Sequence, residues 1–354
     1  MTISFTPTTY EPSILVAGAG YWGINHVRNF HLLGALHTVC DMNGASLSDI
    51  AEKFPGVHVE RNYRKALADP AIRGVVVATP AETHYPLALA ALEAGKDVLV
   101  EKPLTLAVDQ AEDLIMRACQ RGAILMVGHL LEYHPAVLRL RDLIASGALG
   151  ELRYIYSNRL NLGKVRREEN ILWSFAPHDI ALILRLVGAW PTRVAASGGA
   201  YLQPTIADVT VTNMEFPTGI RAHIFVSWLH PHKEQRLVVI GSKRMAVFDD
   251  VRAEGKLLVY DQGVEFVNGE PVTRKNEGVA EALEKAEPLR RECVHFLECI
   301  KTRRRPLTDG ESGLRVLKVL DAAERSLAEG GTPVDVAADL SMETMAIQPF
   351  PIHA

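Results

Sequence analysis

The chain has 354 residues, of which 48 % are hydrophobic and 23 % are charged, and its formal net charge is −4. At about 150 residues per domain this length predicts about two domains, and the apolar content excludes a disordered chain. The small negative charge excludes nucleic-acid binding that depends on charge alone. Four cysteines without a Cys-x-x-Cys pair provide no disulfide framework, so we expect a reducing, cytoplasmic compartment.

The sequence predicts neither a membrane anchor nor an export signal. Its longest apolar runs are much shorter than the roughly 20 residues that a membrane-spanning helix needs. Met1–Thr9 has no positive charge and no apolar run, both of which a signal peptide would contain.

Short apolar runs alternate with helical patterns over residues 1–134. Continuous apolar strands between helices of about ten residues or more predict a parallel sheet covered on both faces, which is a doubly wound α/β Rossmann domain. The predicted strands are Ser13–Ala17, Thr38–Cys40, Gly74–Ala78, Asp97–Val100 and Ile124–Val127. The predicted helices are Gly23–Leu33, Ala45–Phe54, His84–Ala94 and Val108–Arg121.

The pattern changes over residues 135–354, which we assign to a second domain. Segments that alternate apolar and polar residues predict an α+β domain with a large, mostly antiparallel open sheet, and Pro217-Thr218-Gly219 predicts a hairpin turn within it. The predicted strands are Glu151–Leu160, Arg193–Tyr201, Asp208–Phe216, Ile220–Trp228, Glu234–Gly241 and Arg244–Phe248. The predicted helices are Pro135–Ser146, Ile180–Leu186, Pro288–Thr302 and Asp309–Glu329.

A glycine-rich motif, Gly18-Ala19-Gly20-Tyr21-Trp22-Gly23, connects the first predicted strand to the first helix. In this setting the first glycine allows a tight turn, the second lets a pyrophosphate approach, and the third allows close packing of helix and strand. Asp41 ends the next strand, where a carboxylate binds the adenosine ribose, and the three residues after it include no cation for a 2′-phosphate. The motif therefore predicts NAD rather than NADP, with the whole segment and Asp41 in the cofactor site.

Two further motifs could carry chemistry. Glu101-Lys102-Pro103 directly follows a predicted parallel strand, beyond whose carboxyl end ligands bind. His178-Asp179 precedes an apolar helix, and the cation-rich stretch Arg159–Arg167 before it suits a diphosphate or a carboxylate. Their positions also allow structural alternatives without a function. Lys102 could be a surface lysine, His178 a residue at a helix terminus, and Arg159–Arg167 a solvated loop.

Taken in order, these motifs resemble the Gfo/Idh/MocA oxidoreductase family over nearly the whole chain. The resemblance implies NAD(P)-linked oxidation of a sugar or polyol hydroxyl, with Lys102 and His178 at the catalytic positions. It also places Thr79, Pro80, His84 and Glu101 along the dinucleotide, and we add Trp173 to this predicted cofactor site.

One position departs from the family pattern. Many members have an Asp four residues before the catalytic histidine, whereas this chain has Ser174, so the carboxylate is missing or supplied by Asp179. The run Asn158–Asp179 is nevertheless similar to a branch that oxidises the 3-hydroxyl of UDP-sugars. In that branch a partner aminotransferase converts the ketone to a 3-amino sugar for lipid A.

We therefore predict a UDP-sugar 3-dehydrogenase in which Lys102 and His178 act as a unit, with His178 slightly favoured as the proton acceptor. A free-polyol dehydrogenase and a silent NAD-binding regulator are the alternatives. We predict no metal site, and a dimer or tetramer formed through the second sheet. The predicted substrate-binding residues are Lys102, Arg159, Asn161, Lys164, Arg166, His178 and Asp179.

Overall fold

The computed structural model describes residues 10–336 except residues 164, 262 and 275. The strands are β1 (Ile14–Ala17), β2 (Leu36–Cys40), β3 (His58–Glu60), β4 (Gly74–Val77), β5 (Asp97–Glu101), β6 (Leu125–Gly128), β7 (Leu152–Leu160), β8 (Arg193–Gly199), β9 (Val209–Glu215), β10 (Arg221–Ser227), β11 (Glu234–Gly241), β12 (Met245–Asp249), β13 (Leu257–Tyr260), β14 (Gly263–Val267), β15 (Glu270–Arg274), β16 (Val279–Ala280) and β17 (Val334–Asp335). The helices are α1 (Gly23–Leu32), α2 (Gly44–Lys53), α3 (Tyr63–Leu67), α4 (His84–Glu93), α5 (Val108–Arg121), α6 (Pro135–Ala145), α7 (Ile171–Val187), α8 (Pro288–Thr302) and α9 (Gly310–Ala328).

The contacts of the described residues divide the chain into two compact units. The first contains residues 10–133 and 286–317, and the second contains residues 134–285 and 318–336. The sequence analysis assigned all of 135–354 to the second domain. In the structure, residues 286–317, which include α8, belong to the first unit.

The first unit is built on a six-stranded parallel sheet with the order β3-β2-β1-β4-β5-β6. Strands β1 and β4 are buried along their whole length, as expected for a sheet with helices on both faces. The predicted Rossmann architecture is thus confirmed. The sequence analysis missed β3 and α3, which are only three and five residues long.

Helix α8 belongs to the first unit because its apolar side chains complete that core. Phe296 and Ile300 are buried in the same cluster as Ile14 and Val76 of the parallel sheet. Gly74 makes this packing possible, since a β-carbon there would lie 2.7 Å from Ile300 Cδ1. Full burial of each such side chain contributes roughly 1.5–3 kcal/mol.

The second unit is built on a nine-stranded mixed sheet with the order β16-β13-β12-β11-β7-β10-β9-β8-β17. Strand β7 pairs antiparallel with β11 and parallel with β10, and the remaining neighbours in this sheet are antiparallel. The predicted open, mostly antiparallel sheet is confirmed. The turn at 217–219 joins β9 to β10, and Gly219 adopts a φ of +84° there, which a glycine does without strain.

Strand β10 shows how this sheet is covered. Its alternate residues Ala222, Ile224 and Val226 are buried, and α7 packs on the same part of the sheet. His223 and Phe225, between them, are half-buried. Among the described helices, none combines the length and the apolar character needed to cross a membrane.

Candidate active site

Three loops of the first unit meet at one edge of its sheet. The strand register aligns Ala17 with Val77 and Val77 with Val100, so β1, β4 and β5 end side by side. The residues that follow these strands are the glycine-rich motif, the Thr79 segment and the Glu101-Lys102-Pro103 motif. The structure thus brings the predicted cofactor motifs of the first unit together at the edge where open parallel sheets bind ligands.

The glycine-rich turn has the geometry that its sequence predicts. Gly18 adopts a φ of +93°, and a β-carbon on it would lie 2.6 Å from the Ala78 carbonyl oxygen. A β-carbon on Gly23 would lie 2.0 Å from the Gly18 carbonyl oxygen, whereas one on Gly20 would have no described neighbour within 4 Å. The first and third glycines are therefore needed for packing, and the second leaves open space.

The open space at Gly20 lies at the start of α1. Trp22 precedes this helix and provides no side-chain hydrogen bond to its first N–H groups. Tyr21 is 95 % exposed beside it. An uncapped helix N-terminus with room for an anion suits a pyrophosphate.

Asp41 lies against the same turn. Its Oδ2 accepts a hydrogen bond from the Ala19 N–H over 2.7 Å, and its Oδ1 accepts one from the Asn43 N–H over 2.8 Å. A carboxylate in this place fits a ribose hydroxyl of a bound dinucleotide. The sequence analysis missed Arg61, which follows β3 and donates to the Met42 carbonyl over 3.0 Å. The adjacency of β2 and β3 explains this approach.

His84 connects the second and third loops. Its Nδ1 lies 2.7 Å from the Pro103 carbonyl oxygen, and its Nε2 lies 2.9 Å from that of Thr79. The side chain is only 1 % exposed. Thr79 is half-buried and Pro80 is exposed at the edge. The structure therefore gives His84 a bridging position, and its contact with a dinucleotide stays a prediction.

Glu101 is the hydrogen-bonding centre of this edge. Its Oε1 accepts from Trp22 Nε1 over 2.5 Å and lies 2.6 Å from His26 Nε2, while its Oε2 accepts from the Lys102 N–H over 3.2 Å. Burial opposes ionisation, but the hydrogen bonds from His26 and Trp22 and the charge of Lys102 lower the pKa of Glu101 below its usual value. The ionised carboxylate thus ties α1 to the Lys102 loop.

Lys102 itself is half-buried one residue beyond β5, and the Lys102–Pro103 peptide is cis. No sequence signal identified His26 as a partner of Glu101. It lies one helical turn after Trp22 on α1, so both side chains reach the same carboxylate.

In the second unit, His178 lies in the middle of a helix. The sequence analysis began this helix at Ile180, but α7 begins at Ile171 and contains Pro177. Asn170 caps it by accepting the Trp173 N–H over 3.3 Å. Because residues four apart share a helix face, Ser174 lies on the same face as His178, which is half-buried.

Arg159 and Asp179 form a buried ion pair within the second unit. Arg159 Nε donates to Asp179 Oδ2 over 2.6 Å and its Nη2 donates to Oδ1 over 3.2 Å. Ser157 Oγ donates to the same Oδ1 over 2.5 Å. Asp179 is 1 % exposed, and the substrate contacts that we predicted for Arg159 and Asp179 stay predictions.

The other predicted residues of the second unit differ in accessibility. Arg166 is exposed and lies 3.7 Å from Glu169, and Asn161 is half-buried at the end of β7. Lys164 lies outside the described residues. Trp173 Nε1 donates to Glu324 Oε2 over 3.1 Å, so its contact with the cofactor stays a prediction.

Comparison with known proteins defines the class to which this arrangement belongs. Residues 13–129 match the model of an oxidoreductase family with an NAD-binding Rossmann fold, and residues 137–247 match the GFO/IDH/MocA C-terminal domain. The first unit is therefore the NAD-binding Rossmann domain of an oxidoreductase. The chain belongs to the GFO/IDH/MocA family, as its motifs indicated.

Two curated relatives match most of the chain. It is 30 % identical to UDP-N-acetylglucosamine 3-dehydrogenase of Acidithiobacillus ferrooxidans over 308 residues, which cover 85 % of this chain and 93 % of that enzyme. It is 25 % identical to scyllo-inositol 2-dehydrogenase (NAD(+)) of Bacillus subtilis over 338 residues, which cover 89 % and 94 %.

Solved structures agree with this assignment. The Acidithiobacillus ferrooxidans enzyme GnnA superposes with a TM-score of 0.79 at 29 % identity, covering 90 % of this chain and 98 % of that one. GenD2 from gentamicin A biosynthesis, solved in complex with NAD, gives a TM-score of 0.81 at 24 % identity and covers 96 % and 100 %. The likeness to GenD2 shows a shared fold. The family therefore supports NAD-dependent sugar oxidation.

Proposed function

We propose that the protein oxidises the 3-hydroxyl of a UDP-sugar, most specifically UDP-N-acetylglucosamine, with NAD as the acceptor. The observation that carries this proposal is the match to UDP-N-acetylglucosamine 3-dehydrogenase along 93 % of that enzyme's length. The motifs at the edge of the parallel sheet would hold NAD and would provide Lys102 for the oxidation.

The residues of the first unit would hold the cofactor. The α1 N-terminus and the space at Gly20 would take the pyrophosphate, and Asp41 would take the adenosine ribose. When bound, NAD supplies the hydride acceptor for the alcohol carbon.

Removal of the hydroxyl proton needs a base from the protein. We assign this role to Lys102 and His178 together, with His178 slightly favoured as the acceptor, and both side chains are half-buried in their own units. Asp179 does not replace the carboxylate that Ser174 lacks, because Arg159 and Ser157 engage both of its oxygens. The reaction would then proceed without that carboxylate.

We propose that two cations of the stretch Arg159–Arg167 recognise the UDP diphosphate. Arg166 and Lys164 are the proposed contacts, with Asn161 beside them in the sequence. Arg159 stays a predicted contact, with its Nε and Nη2 engaged by Asp179.

The wider setting follows from the same proposal. A cytoplasmic location is supported by the four cysteines, all of which are free thiols. We propose that the second sheet forms a dimer or tetramer, since Tyr154 is 44 % exposed on it and Tyr156 stacks on the half-buried His223 at 5.2 Å. The 3-keto product would pass to an aminotransferase for lipid A synthesis.

The test is an assay of NADH formation with UDP-N-acetylglucosamine, scyllo-inositol and myo-inositol as parallel substrates. We expect turnover with the UDP-sugar and product of the mass of a keto-sugar nucleotide. Turnover with an inositol alone would replace the proposal by a polyol dehydrogenase, the second activity that the relatives support. NADH binding without turnover on any of the three would indicate a silent NAD-binding protein.

A further inference from the structure

A second carboxyl group, that of Glu292, lies close to Glu101 inside the first unit. Glu292, on α8, is 0 % exposed, and neither of its carboxyl oxygens has a hydrogen-bond donor among the described residues. One of these oxygens, a Glu101 oxygen and a His26 ring nitrogen all lie within 4.8 Å of one another. A buried carboxyl group without a partner is costly and calls for an explanation.

The groups around Glu292 determine its charge. Glu101 on β5 is ionised and already holds Trp22 and His26, and Glu132 adds a second acid from the neighbouring turn. His26 faces it from α1, with its Nδ1 3.9 Å from Cys293 Sγ, and Tyr133 is fully buried close by. Burial first, and then the charges of Glu101 and Glu132, raise the pKa of Glu292 well above its usual value.

A metal ion would be another way to satisfy two carboxylates and an imidazole. It would require His26 Nε2 to give up its 2.6 Å contact with Glu101. A single proton on Glu292 removes the unpaired charge, places an O–H donor within 4.8 Å of a Glu101 oxygen, and leaves the contact between His26 and Glu101 intact. The geometry therefore favours the proton.

We propose that Glu292 is a positioning residue whose carboxyl group carries a proton and holds the neighbouring Glu101 carboxylate in place. Glu101 in turn fixes Trp22 of the glycine-rich turn and the backbone N–H of Lys102. When the pH rises above the folded pKa of Glu292, its ionisation places a second negative charge in this buried cluster, which loosens the turn and weakens NAD(H) binding. The inference rests on the NAD-binding domain and is independent of the sugar substrate.

NADH binding, followed by fluorescence titration from neutral to alkaline pH, tests this inference. We expect the wild-type Kd to rise with pH, because the ionised Glu292 repels Glu101. The variant Glu292→Gln keeps a neutral donor, so its Kd should stay within a few-fold of the neutral-pH wild-type value throughout. Glu292→Leu loses the donor and should weaken NADH binding by about tenfold or more at neutral pH, the equivalent of a lost hydrogen bond to a charged group.

The matched control is Glu298→Gln, the same change on the same helix at a side chain that accepts from Tyr10 OH instead. It should follow the wild-type pH profile. Infrared difference spectra of wild type and Glu292→Gln should show the carbonyl stretch of a protonated carboxyl group at neutral pH. An ionised Glu292 in that spectrum, a Glu292→Gln profile that superposes on wild type, or a stoichiometric metal ion lost in Glu292→Gln would each overturn the inference.

Discussion

One buried acid of the first unit and two buried acids of the second unit have opposite hydrogen-bonding environments. In the second unit, Asp179 is fully engaged by Arg159 and Ser157, and Asp208 accepts from Trp228 Nε1 over 2.5 Å and from two backbone N–H groups. In the first unit, Glu292 has no donor among the described residues and lies close to another carboxylate. Hydrogen-bonded acids stabilise a fold, whereas a buried carboxyl group without a donor is costly and is a candidate for a functional role.

The largest effect should come from the first unit, through Lys102→Ala. Loss of a proton-transferring group reduces turnover by about 10²–10⁴-fold, and the NADH Kd should change little because the glycine-rich turn is untouched. Steady-state kinetics and NADH titration measure both quantities. Lys65→Ala, at an exposed lysine paired with Glu60, is the control and should keep wild-type turnover. Near-wild-type turnover in Lys102→Ala would show that Lys102 does not take part in proton transfer.

The corresponding change in the second unit should affect stability. Asp179→Asn leaves the Arg159 charge buried without its partner, and removal of one member of a buried pair costs about 3–5 kcal/mol of unfolding free energy. Urea unfolding measures it. Asp321→Asn breaks the exposed pair with Arg325 and should cost about 0–1 kcal/mol. Equal losses in the two variants would show that the Arg159–Asp179 pair is not structural.

The pH dependence of stability should have opposite signs in the two units. Folded Glu292 keeps a proton that the unfolded chain releases, so its raised pKa lowers stability as pH rises above the usual carboxyl range, by about 1.4 kcal/mol per pKa unit. Burial disfavours ionised Asp208, yet its hydrogen bonds lower its pKa, so its contribution is lost as pH falls through the folded value.

Unfolding of Glu292→Gln and Asp208→Asn across pH separates these two contributions. The first variant should lose the decline that begins above the usual carboxyl range, and the second should lose the acid decline. Identical pH profiles for wild type and Glu292→Gln would show that the two units do not differ in this respect.

The smallest effect should come from Arg166→Ala. An exposed cation contributes about 0.2–1 kcal/mol to an ionic contact, so the KM for UDP-N-acetylglucosamine should rise by about 1.5–5-fold. The KM for NAD should not change. A larger effect on NAD than on the sugar nucleotide would remove Arg166 from the substrate site.

The sequence predicts the first unit better than the second for a physical reason. The glycines and the strand-terminal Asp41 and Lys102 act through local backbone geometry, which the chain order shows directly. Strand β3 is short and mostly exposed, and helix α3 is only five residues long with Ala66 and Leu67 buried, so both lack the extended apolar pattern that reveals a buried element. Because β3 was not predicted, the approach of Arg61 to the loop after β2 was not predicted either.

Long-range packing accounts for the remaining differences. We predicted a helix that begins at Ile180, yet α7 begins at Ile171 and continues through Pro177, with most of its apolar residues buried in the second unit. Three features join distant parts of the chain. They are the packing of α8 on the parallel sheet, the pairing of Arg159 with Asp179, and the approach of Glu292 to Glu101. Composition and spacing contain no signal for such contacts.

The central claim, transfer of hydrogen from the sugar 3-carbon to NAD, can be measured directly. UDP-N-acetylglucosamine that carries deuterium at C3 is incubated with the enzyme and NAD. The mass of the reduced cofactor is then measured by mass spectrometry. We predict reduced cofactor that contains one deuterium. Reduced cofactor without deuterium would contradict the claim by showing that the hydride leaves another carbon.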